Sequence, residues 1–248
     1  MLEAKNIMLF YENAIAVNNF SFTAEAGKIT GIFGSNSAGK SSLMWTLSGI
    51  ILDMRKKEAM RGGERITVLG EILYEGANII EMKPSDRARK GIILCPERRR
   101  IFKESSVMEN LRIGGYLASA AQARKTLSYV FEIFPKLKDL RHRNGGFLSG
   151  GEQQMLAIGR ALMAQPKVLL LDEPLLGLSP AMEQRLSQAV KSINQETGIT
   201  VVISEQYARP VFPIIDYGYI IENGAAVLEG TAEELMNNPD VKEAYFGI

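Results

Sequence analysis

A turn between an apolar run and a helical pattern reads Gly34-Ser35-Asn36-Ser37-Ala38-Gly39-Lys40-Ser41-Ser42. Through Ser41 it matches the pattern G-x-x-x-x-G-K-S, whose backbone N–H groups surround phosphates at the start of a helix. Glycines at positions 34 and 39 let the backbone approach an anion closely, because they have no Cβ atom. We expect Lys40 to bind the β- and γ-phosphates of a nucleotide and the Ser41 hydroxyl to bind Mg²⁺. The whole segment is the predicted nucleotide-binding loop.

A second apolar run, residues 168–171, ends in the two carboxylates Asp172 and Glu173. Side chains alternate along a strand, so the two carboxylates point in different directions. We predict that Asp172 reaches the Mg²⁺ ion, directly or through water. Glu173 would then face the γ-phosphate and act as the general base for the attacking water. Beside a phosphate-binding loop, this pair predicts nucleotide hydrolysis rather than an ordinary polar strand end.

Short apolar runs alternate with longer amphipathic stretches along most of the chain. A parallel sheet covered on both faces produces such runs, so the sequence predicts an α/β fold with a mostly parallel core sheet. The predicted strands are residues 29–33, 92–95, 168–171 and 200–204. The predicted helices are residues 41–48, 152–163 and 181–194.

Two stretches depart from that alternation in the first part of the chain. Residues 2–10 and 14–22 predict antiparallel strands at one edge, which would form an N-terminal antiparallel β subdomain. Residues 55–64 are polar and contain Gly62-Gly63, which predicts a surface loop or a hairpin.

A third stretch, residues 107–140, follows a helical pattern without any strand. It predicts a helical subdomain, spanning about residues 103–160, that is inserted into the α/β core. The sequence contains no internal repeat, so we expect one domain that comprises residues 1–248.

The composition of the chain excludes several classes of protein. The 29 basic and 28 acidic residues give a net charge of +1, so no global field attracts nucleic acid. The single cysteine, Cys95, excludes an internal disulfide, and the single histidine, His142, cannot form a two-histidine metal site. No apolar run approaches the ~18 residues that span a bilayer, and the N-terminus has no secretory pattern. We therefore expect a cytoplasmic protein whose membrane role comes through a partner.

A further motif reads Leu148-Ser149-Gly150-Gly151-Glu152. Ser149 can cap the helix that follows, and the glycines leave backbone N–H groups open to an anion. Together with the nucleotide-binding loop and the acidic pair, this motif resembles the signature sequence of ABC ATPases, which are P-loop NTPases. The resemblance covers essentially the whole chain. It implies ATP and Mg²⁺ as cofactors and a head-to-tail dimer, in which residues 148–152 contact the γ-phosphate of the partner subunit's ATP.

The resemblance also implies roles for residues outside these motifs. Tyr11 stands where the family stacks an aromatic ring on adenine. Glu97 occupies the place of a glutamine that touches Mg²⁺ or the lytic water and relays closure to the membrane partner. Gln206 stands where most relatives have a histidine that bonds the γ-phosphate, and Ser179 where many have an aspartate. A neutral amide bonds more weakly than a charged group, so we expect slower hydrolysis than in relatives with the histidine.

Residues 96–102, the pair Glu205-Gln206 and residues 241–247 resemble the LivF branch of the family. That branch serves importers of branched-chain amino acids, and its close relatives handle urea or other amides. The resemblance implies a second ATPase, LivG-like or another copy of this chain, two transmembrane permease subunits and an extracytoplasmic binding protein. It also implies a peripheral position on the cytoplasmic face of the membrane and no nucleic acid partner.

The sequence leaves two alternative functions open, and it does not decide the role of one charged run. A soluble ABC ATPase without a transport role is one alternative, and an ATP clamp that hardly hydrolyses is another, because Gln206 cannot carry a charge. The run Arg98-Arg99-Arg100 is either a solvated face or a docking surface.

Overall fold

The computed structural model describes residues 1–243, which form two β-sheets and several layers of helices. The strands are β1 (Leu2–Tyr11), β2 (Ala14–Ala24), β3 (Ile29–Phe33), β4 (Ile66–Tyr74), β5 (Ala77–Asn78), β6 (Ile92–Cys95), β7 (Val168–Asp172), β8 (Thr200–Glu205), β9 (Tyr217–Glu222) and β10 (Ala225–Thr231). The helices are α1 (Lys40–Ser48), α2 (Ile50–Arg61), α3 (Pro84–Arg89), α4 (Val107–Gly114), α5 (Ala120–Ile133), α6 (Pro135–Asp139), α7 (Gly150–Met163), α8 (Pro180–Thr197), α9 (Ala232–Asn237) and α10 (Pro239–Val241).

Within residues 1–243, no helix combines the length and the apolarity that crossing a bilayer requires. Residues 241–247 carried part of the LivF resemblance, and residues 244–247 of that segment lie outside the described residues.

The larger sheet has the strand order β10-β9-β3-β8-β7-β6. Strands β9, β3, β8, β7 and β6 run parallel, and β10 pairs antiparallel with β9. Every residue of β3, β7 and β8 is buried, as expected of central strands with both faces covered. The four strands predicted from apolar runs are confirmed. The carboxyl ends of β3, β8 and β7 meet at one edge of the sheet, where the predicted site residues lie.

The smaller sheet is antiparallel throughout and has the strand order β2-β1-β4-β5. Its apolar side chains, such as Ile7 and Leu9, belong to the same buried cluster as Leu43 and Leu47 of α1. The two predicted N-terminal strands are therefore confirmed, and their sheet covers the helix that follows the nucleotide-binding loop.

Helices α4 to α7 lie between β6 and β7 in the chain, as the helical pattern predicts. Gly159 of α7 packs so closely against α5 that an added Cβ would meet Val130 at 2.9 Å. Helices α4, α5 and α7 each begin with a capping box, in which two residues three positions apart satisfy each other's backbone N–H groups. The pairs are Ser106–Glu109, Ser119–Gln122 and Ser149–Glu152. The extent of an inserted subdomain stays a prediction, as does the single domain.

Residues 55–64 do not form the predicted surface loop or hairpin. Most of them belong to α2, which ends at Arg61, and Gly62 is its left-handed C-cap with a φ of 65°. The prediction was wrong because it considered polarity alone. Arginine, lysine, glutamate and methionine are good helix formers, and Ile51 and Leu52 supply the buried residues of the helix. The glycine marks a helix end rather than a hairpin turn.

The guanidinium group of Arg87, on α3, is fully buried. It donates hydrogen bonds to five backbone carbonyl oxygens at 2.6–2.9 Å: Thr46, Leu47, Ile79, Ile80 and Met82. The carbonyls of Thr46 and Leu47 lie at the end of α1, where the helix dipole is negative. Burial lowers the pKa of Arg87 to about 10. One side chain therefore ties the end of α1 to the segment that follows β5.

Replacing Arg87 by leucine should lower the free energy of unfolding by about 3 kcal/mol or more, because five buried carbonyl groups lose their donor at once. Urea denaturation followed by circular dichroism measures the change. Arg89→Leu is the matched control on the same helix, since Arg89 is exposed and bonds Asp86 at the surface. The control should change stability by no more than about 0.5 kcal/mol. Equal effects of the two variants would contradict a stabilising role for the carbonyl network.

Candidate functional site

The nucleotide-binding loop joins the carboxyl end of β3 to the start of α1. Neither of its glycines leaves room for a side chain. A Cβ at Gly34 would meet the carbonyl oxygen of Ile221, and a Cβ at Gly39 would meet that of Ala16. Gly39 is also left-handed, with a φ of 105°. The loop therefore requires glycine at both predicted positions. Helix α1 starts directly behind it, and the first N–H groups of a helix have no partner within the helix.

The ammonium group of Lys40 is buried at the centre of the site, with 4% of the residue exposed. Its Nζ atom donates to the carbonyl oxygens of Gly34 and Ser35 at 2.8 and 2.9 Å. It also forms an ion pair with Oε1 of Glu173 at 2.9 Å. Three acceptors offset the cost of removing the charge from water. The predicted phosphate-binding lysine and the predicted general base are thus in direct contact.

The carboxylate of Asp172 is buried beside the start of α1. Its Oδ1 atom accepts hydrogen bonds from Ser41 Oγ at 3.1 Å and from Ser204 Oγ at 2.9 Å. Its Oδ2 atom is buried and has no hydrogen-bond partner among the described residues. Burial raises the pKa of Asp172, while the bonds from Ser204 and Ser41 lower it. An unsatisfied buried carboxylate oxygen points to a missing ligand.

The residues around Asp172 fit a Mg²⁺ ion. No group of three or more histidine, cysteine, aspartate or glutamate side chains within residues 1–243 is arranged to hold a metal. Mg²⁺ at a nucleotide site needs only one or two protein oxygen ligands, because phosphates and water supply the others. Ser41 and Asp172 provide such a pair. Glu97 is close enough that its charge adds to the raised pKa of Asp172.

Glu173 leaves strand β7 in a left-handed conformation with a φ of 44°. Its N–H donates to the Ser204 carbonyl at 3.0 Å, which extends the β7–β8 ladder by one bond. A non-glycine residue in this conformation costs on the order of 1 kcal/mol. The turn directs the carboxylate toward Lys40 rather than along the line of the strand. The predicted base is therefore held by a residue with a strained backbone conformation.

A cavity of about 350 Å³ joins these residues. Its lining consists of Ala16, Asn36, Ser37, Gly39, Lys40, Ser41, Ser42, Glu97 and Glu173. Tyr11 stands beside it, with its hydroxyl 3.4 Å from Ser42 Oγ. The structure thus brings together the loop, the base, Glu97 and the predicted adenine-stacking residue. Glu97 also forms an ion pair with its neighbour Arg98 at 3.2 Å.

Gln206 lies in a different place from the base. It lines a second cavity of about 430 Å³ that adjoins the same loop, together with Ser35, Asn36, Ser37, Ala38, Tyr207, Glu222 and Asn223. Both cavities are lined by Asn36 and Ser37, so Gln206 and Glu173 border adjoining spaces along the same loop. The predicted bond from Gln206 to the γ-phosphate stays a prediction.

Residues 148–152 line neither of these cavities. Ser149 is the N-cap of α7, and Oε2 of Glu152 accepts from the Ser149 N–H at 2.8 Å. Gly150 faces the guanidinium of Arg99, which an added Cβ would meet at 3.2 Å. This helix start is thus separate from the nucleotide-binding loop of its own chain. Its contact with a partner subunit's ATP stays a prediction.

Glu205 takes part in the site and was not predicted. It is the last residue of β8, it is 3% exposed, and its Oε1 atom accepts a hydrogen bond from the Leu175 N–H at 2.8 Å. Burial raises the pKa of Glu205 to about 8. The sequence feature that could have identified Glu205 is its place at the end of an apolar strand, next to Gln206.

Known proteins resemble this chain along its whole length. The high-affinity branched-chain amino acid transport ATP-binding protein BraG of Pseudomonas aeruginosa is 38% identical, with all of both chains covered. The probable branched-chain amino acid transport ATP-binding protein LivF of Archaeoglobus fulgidus is 29% identical, covering 89% of this chain and 87% of its own. The lipopolysaccharide export system ATP-binding protein LptB of Escherichia coli K12 is 30% identical, covering 99% and 97%.

Solved structures agree with the sequence comparison. The ADP conformation of an ATP-binding cassette of an ABC transporter has a TM-score of 0.82 and 27% identity, and the match covers 100% of this chain and 99% of that one. The predicted α/β cassette fold is thereby confirmed, as is the resemblance to the branched-chain amino acid branch. The sequence model that describes ABC transporters matches residues 17–176. The chain belongs to the ABC transporter family.

Proposed function

We propose that this chain is the ATP-hydrolysing subunit that supplies energy to an ABC importer. The observation that carries the proposal is the convergence of two contacting pairs on one edge of the sheet: Lys40 with Glu173, and Ser41 with Asp172. Together they offer a cation for phosphate, two oxygen ligands for Mg²⁺ and a carboxylate for water. Full-length similarity to an ATP-binding transport protein supports the proposal.

ATP binding begins with an exchange of partners at Lys40. In the structure its ammonium group contacts the carboxylate of Glu173 and two loop carbonyls. The γ-phosphate replaces Glu173 as the anionic partner of Lys40, so the carboxylate becomes free to hold the attacking water. The N–H groups of the loop bond the phosphates, and the ring of Tyr11 stacks on adenine, which contributes about 1 kcal/mol. Substrate binding and release of the general base are therefore one event.

Hydrolysis needs a proton acceptor and neutralised phosphate charge. Ser41 and Asp172 would hold Mg²⁺, which would neutralise part of the charge on the phosphate oxygens. Glu173 accepts a proton as the water oxygen bonds to the γ-phosphorus, and the bond to the β–γ bridging oxygen breaks, which yields ADP and phosphate. Glu97 orients water at the edge of the cavity. Gln206 donates an uncharged N–H to the γ-phosphate, and this weaker bond makes turnover slow.

The start of α7 supports a head-to-tail dimer. Backbone N–H groups at a helix start bind anions, and residues 148–152 lie outside the cavity of their own chain. In the closed dimer they contact the γ-phosphate held by the partner subunit. The partner is a second ABC ATPase, either LivG-like or another copy of this chain.

An exposed apolar surface beside α4 supports docking to the permease subunits. Phe102, Ile113 and Tyr116 are 49%, 47% and 86% exposed. A groove of about 330 Å³ runs between Ile113 and Ile93 of β6. Exposed apolar patches of this kind mark interaction sites. Docking to two transmembrane permease subunits places the chain on the cytoplasmic face of the membrane, and an extracytoplasmic binding protein delivers the substrate.

The transported molecule is proposed from the relatives, because substrate specificity resides in other chains. BraG and LivF favour branched-chain amino acids, and urea or another amide is the related alternative. Export is a second candidate function, since LptB, an export protein, is similar over almost the same length. Identification of the partner subunits decides between import and export.

Replacing Glu173 by glutamine should lower the turnover number by about 100-fold or more, the usual effect of losing a general base. The dissociation constant for ATP should stay equal or fall, because the neutral amide no longer competes for Lys40. Phosphate release at saturating Mg-ATP and titration calorimetry measure the two quantities. Glu75→Gln, at an exposed residue in the turn between β4 and β5, serves as the control. Equal turnover of Glu173→Gln and wild type would exclude Glu173 as the base.

Replacing Lys40 by alanine should raise the dissociation constant for ATP about tenfold or more, since hydrogen bonds to charged groups contribute about 1.5–3 kcal/mol each. Titration with a fluorescent ATP analogue measures it, and circular dichroism checks that the variant is folded. An unchanged dissociation constant in a folded variant would contradict the assignment of the loop.

Tagged Glu173→Gln, expressed in the native cell and treated with Mg-ATP, should retain its partners after gentle solubilisation of the membranes. Mass spectrometry should find multi-span membrane proteins and a second cassette ATPase. A co-purifying amino-acid binding protein supports import, and lipopolysaccharide-export components support export. Recovery of ribosomes or DNA-bound proteins without a membrane subunit would overturn the transport proposal.

A further inference from the structure

The carboxyl group of Glu205 has no role in the mechanism above, yet it lies among the residues that do. It follows β8 directly before Gln206 and is almost fully buried. Its Oε1 atom accepts the N–H of Leu175 at 2.8 Å, two residues after the general base Glu173. The side chain thus connects the strand end that carries Gln206 to the loop that carries the base.

The N–H of Leu175 needs this partner because the chain leaves the sheet just before it. Strands β7 and β8 pair as far as Asp172 opposite Ser204, and the Glu173 N–H makes the last backbone bond between them. Leu175 is 3% exposed, and in the described part of the chain its N–H is bonded by a side chain rather than by a carbonyl. A buried N–H without an acceptor is costly, so Glu205 replaces the next bond of the ladder.

Glu205 therefore holds the beginning of a short loop, residues 174–179, through its second residue. Within this loop the Leu176 N–H donates to the Glu173 carbonyl at 3.3 Å, and the Leu178 N–H donates to the Leu175 carbonyl at 3.2 Å. Leu175 is the residue that links these contacts to the sheet. Loss of its bond to Glu205 would remove a side-chain anchor two residues from Glu173.

A carboxyl group is a costly choice for this bond. Burial raises its pKa, the nearby carboxylates of Glu173 and Glu183 raise it further, and the Leu175 N–H and the Lys40 ammonium act in the opposite direction. An amide oxygen could accept the same bond and would not ionise at any pH. Packing and hydrogen bonding alone do not explain why an acid stands here.

We propose that Glu205 is a positioning residue for ATP hydrolysis, which holds the Leu175 N–H and thereby fixes the direction of the Glu173 carboxylate relative to Gln206. This role rests on the proposed function of Glu173 as the general base. Because Glu205 and Gln206 are consecutive, a shift of the strand end on γ-phosphate binding is passed to the base through a single hydrogen bond.

The proposal is tested with three variants of the full chain. Glu205→Ala removes the acceptor and should lower kcat about tenfold or more, because small displacements of a catalytic group have such effects. The KM for ATP should stay within about twofold, since no phosphate contact is lost. Glu205→Gln keeps an acceptor oxygen and should restore most of kcat at pH 7. Glu75→Gln removes an exposed carboxylate that is not among the charges acting on Glu205, and it should leave kcat unchanged.

The pH profile adds a measurement that a purely structural role would not move. Because burial raises the pKa of Glu205 to about 8, the group should change from its neutral to its ionised form as the pH rises through this region. An ionised acceptor bonds the Leu175 N–H more strongly than a neutral one. The ratio of wild-type kcat to that of Glu205→Gln should therefore rise through pH 8. Taking the ratio removes titrations that both proteins share.

Hydrogen exchange of residues 174–179, read by mass spectrometry, tests the bond without turnover. Exchange should be faster in Glu205→Ala than in wild type and near the wild-type rate in Glu205→Gln. Unchanged exchange in Glu205→Ala would overturn the proposal. So would a kcat of Glu205→Ala equal to wild type, or a glutamine variant as slow as the alanine variant at every pH. Activity lost on Glu205→Ala but retained by Glu173→Gln would instead refute the proposed base.

Discussion

The ammonium group of Lys40 is buried, so the surrounding structure must provide acceptors for its charge. Burying a charge is costly unless partners replace the lost water. The turn of the loop places the carbonyls of Gly34 and Ser35 against the ammonium group, and the end of β7 places the carboxylate of Glu173 against it. The left-handed conformation of Glu173 accompanies the same arrangement. Strand β8 lies between β3 and β7, so the middle strand contributes contacts to both halves of the site.

Motifs of neighbouring residues predicted most of the site. The residues that the sequence did not predict depend on contacts between distant parts of the chain. The loop, the acidic pair and the central strands are each encoded within a few neighbouring residues. Arg87 reads as a surface cation in a polar segment, because its carbonyl partners at Thr46 and Leu47 come from a distant helix. Glu205 reads as a strand-end acid, because Leu175 lies 30 positions away in sequence. The polar residues 55–64 predict a loop, whereas most of them belong to helix α2, because polar residues are also good helix formers.

The segment between β6 and α4 connects the nucleotide cavity to the helices that follow. Residues 98–100 adopt left-handed φ angles of 62°, 65° and 40° in succession. The carbonyl of residue 100 accepts a bond from Arg160 of α7 at 2.8 Å, and Phe102 exchanges two bonds with Asn110 of α4. Consecutive strained residues persist only where their surroundings hold them. Residues 98–102 thus form a short, constrained link between Glu97 and the helices α4 and α7.

The capping boxes of α4, α5 and α7 have a consequence for the order in which the chain folds. Each box joins residues three positions apart, so these helix starts can form before any tertiary contact. Strand β6 must wait for β7, which leaves the ribosome only after all four intervening helices. Local structure forms quickly, and parallel pairing across a long separation is slow. The nascent chain thus exposes β6 as an unpaired apolar strand during synthesis, and β3 waits longer still for its partners β8 and β9.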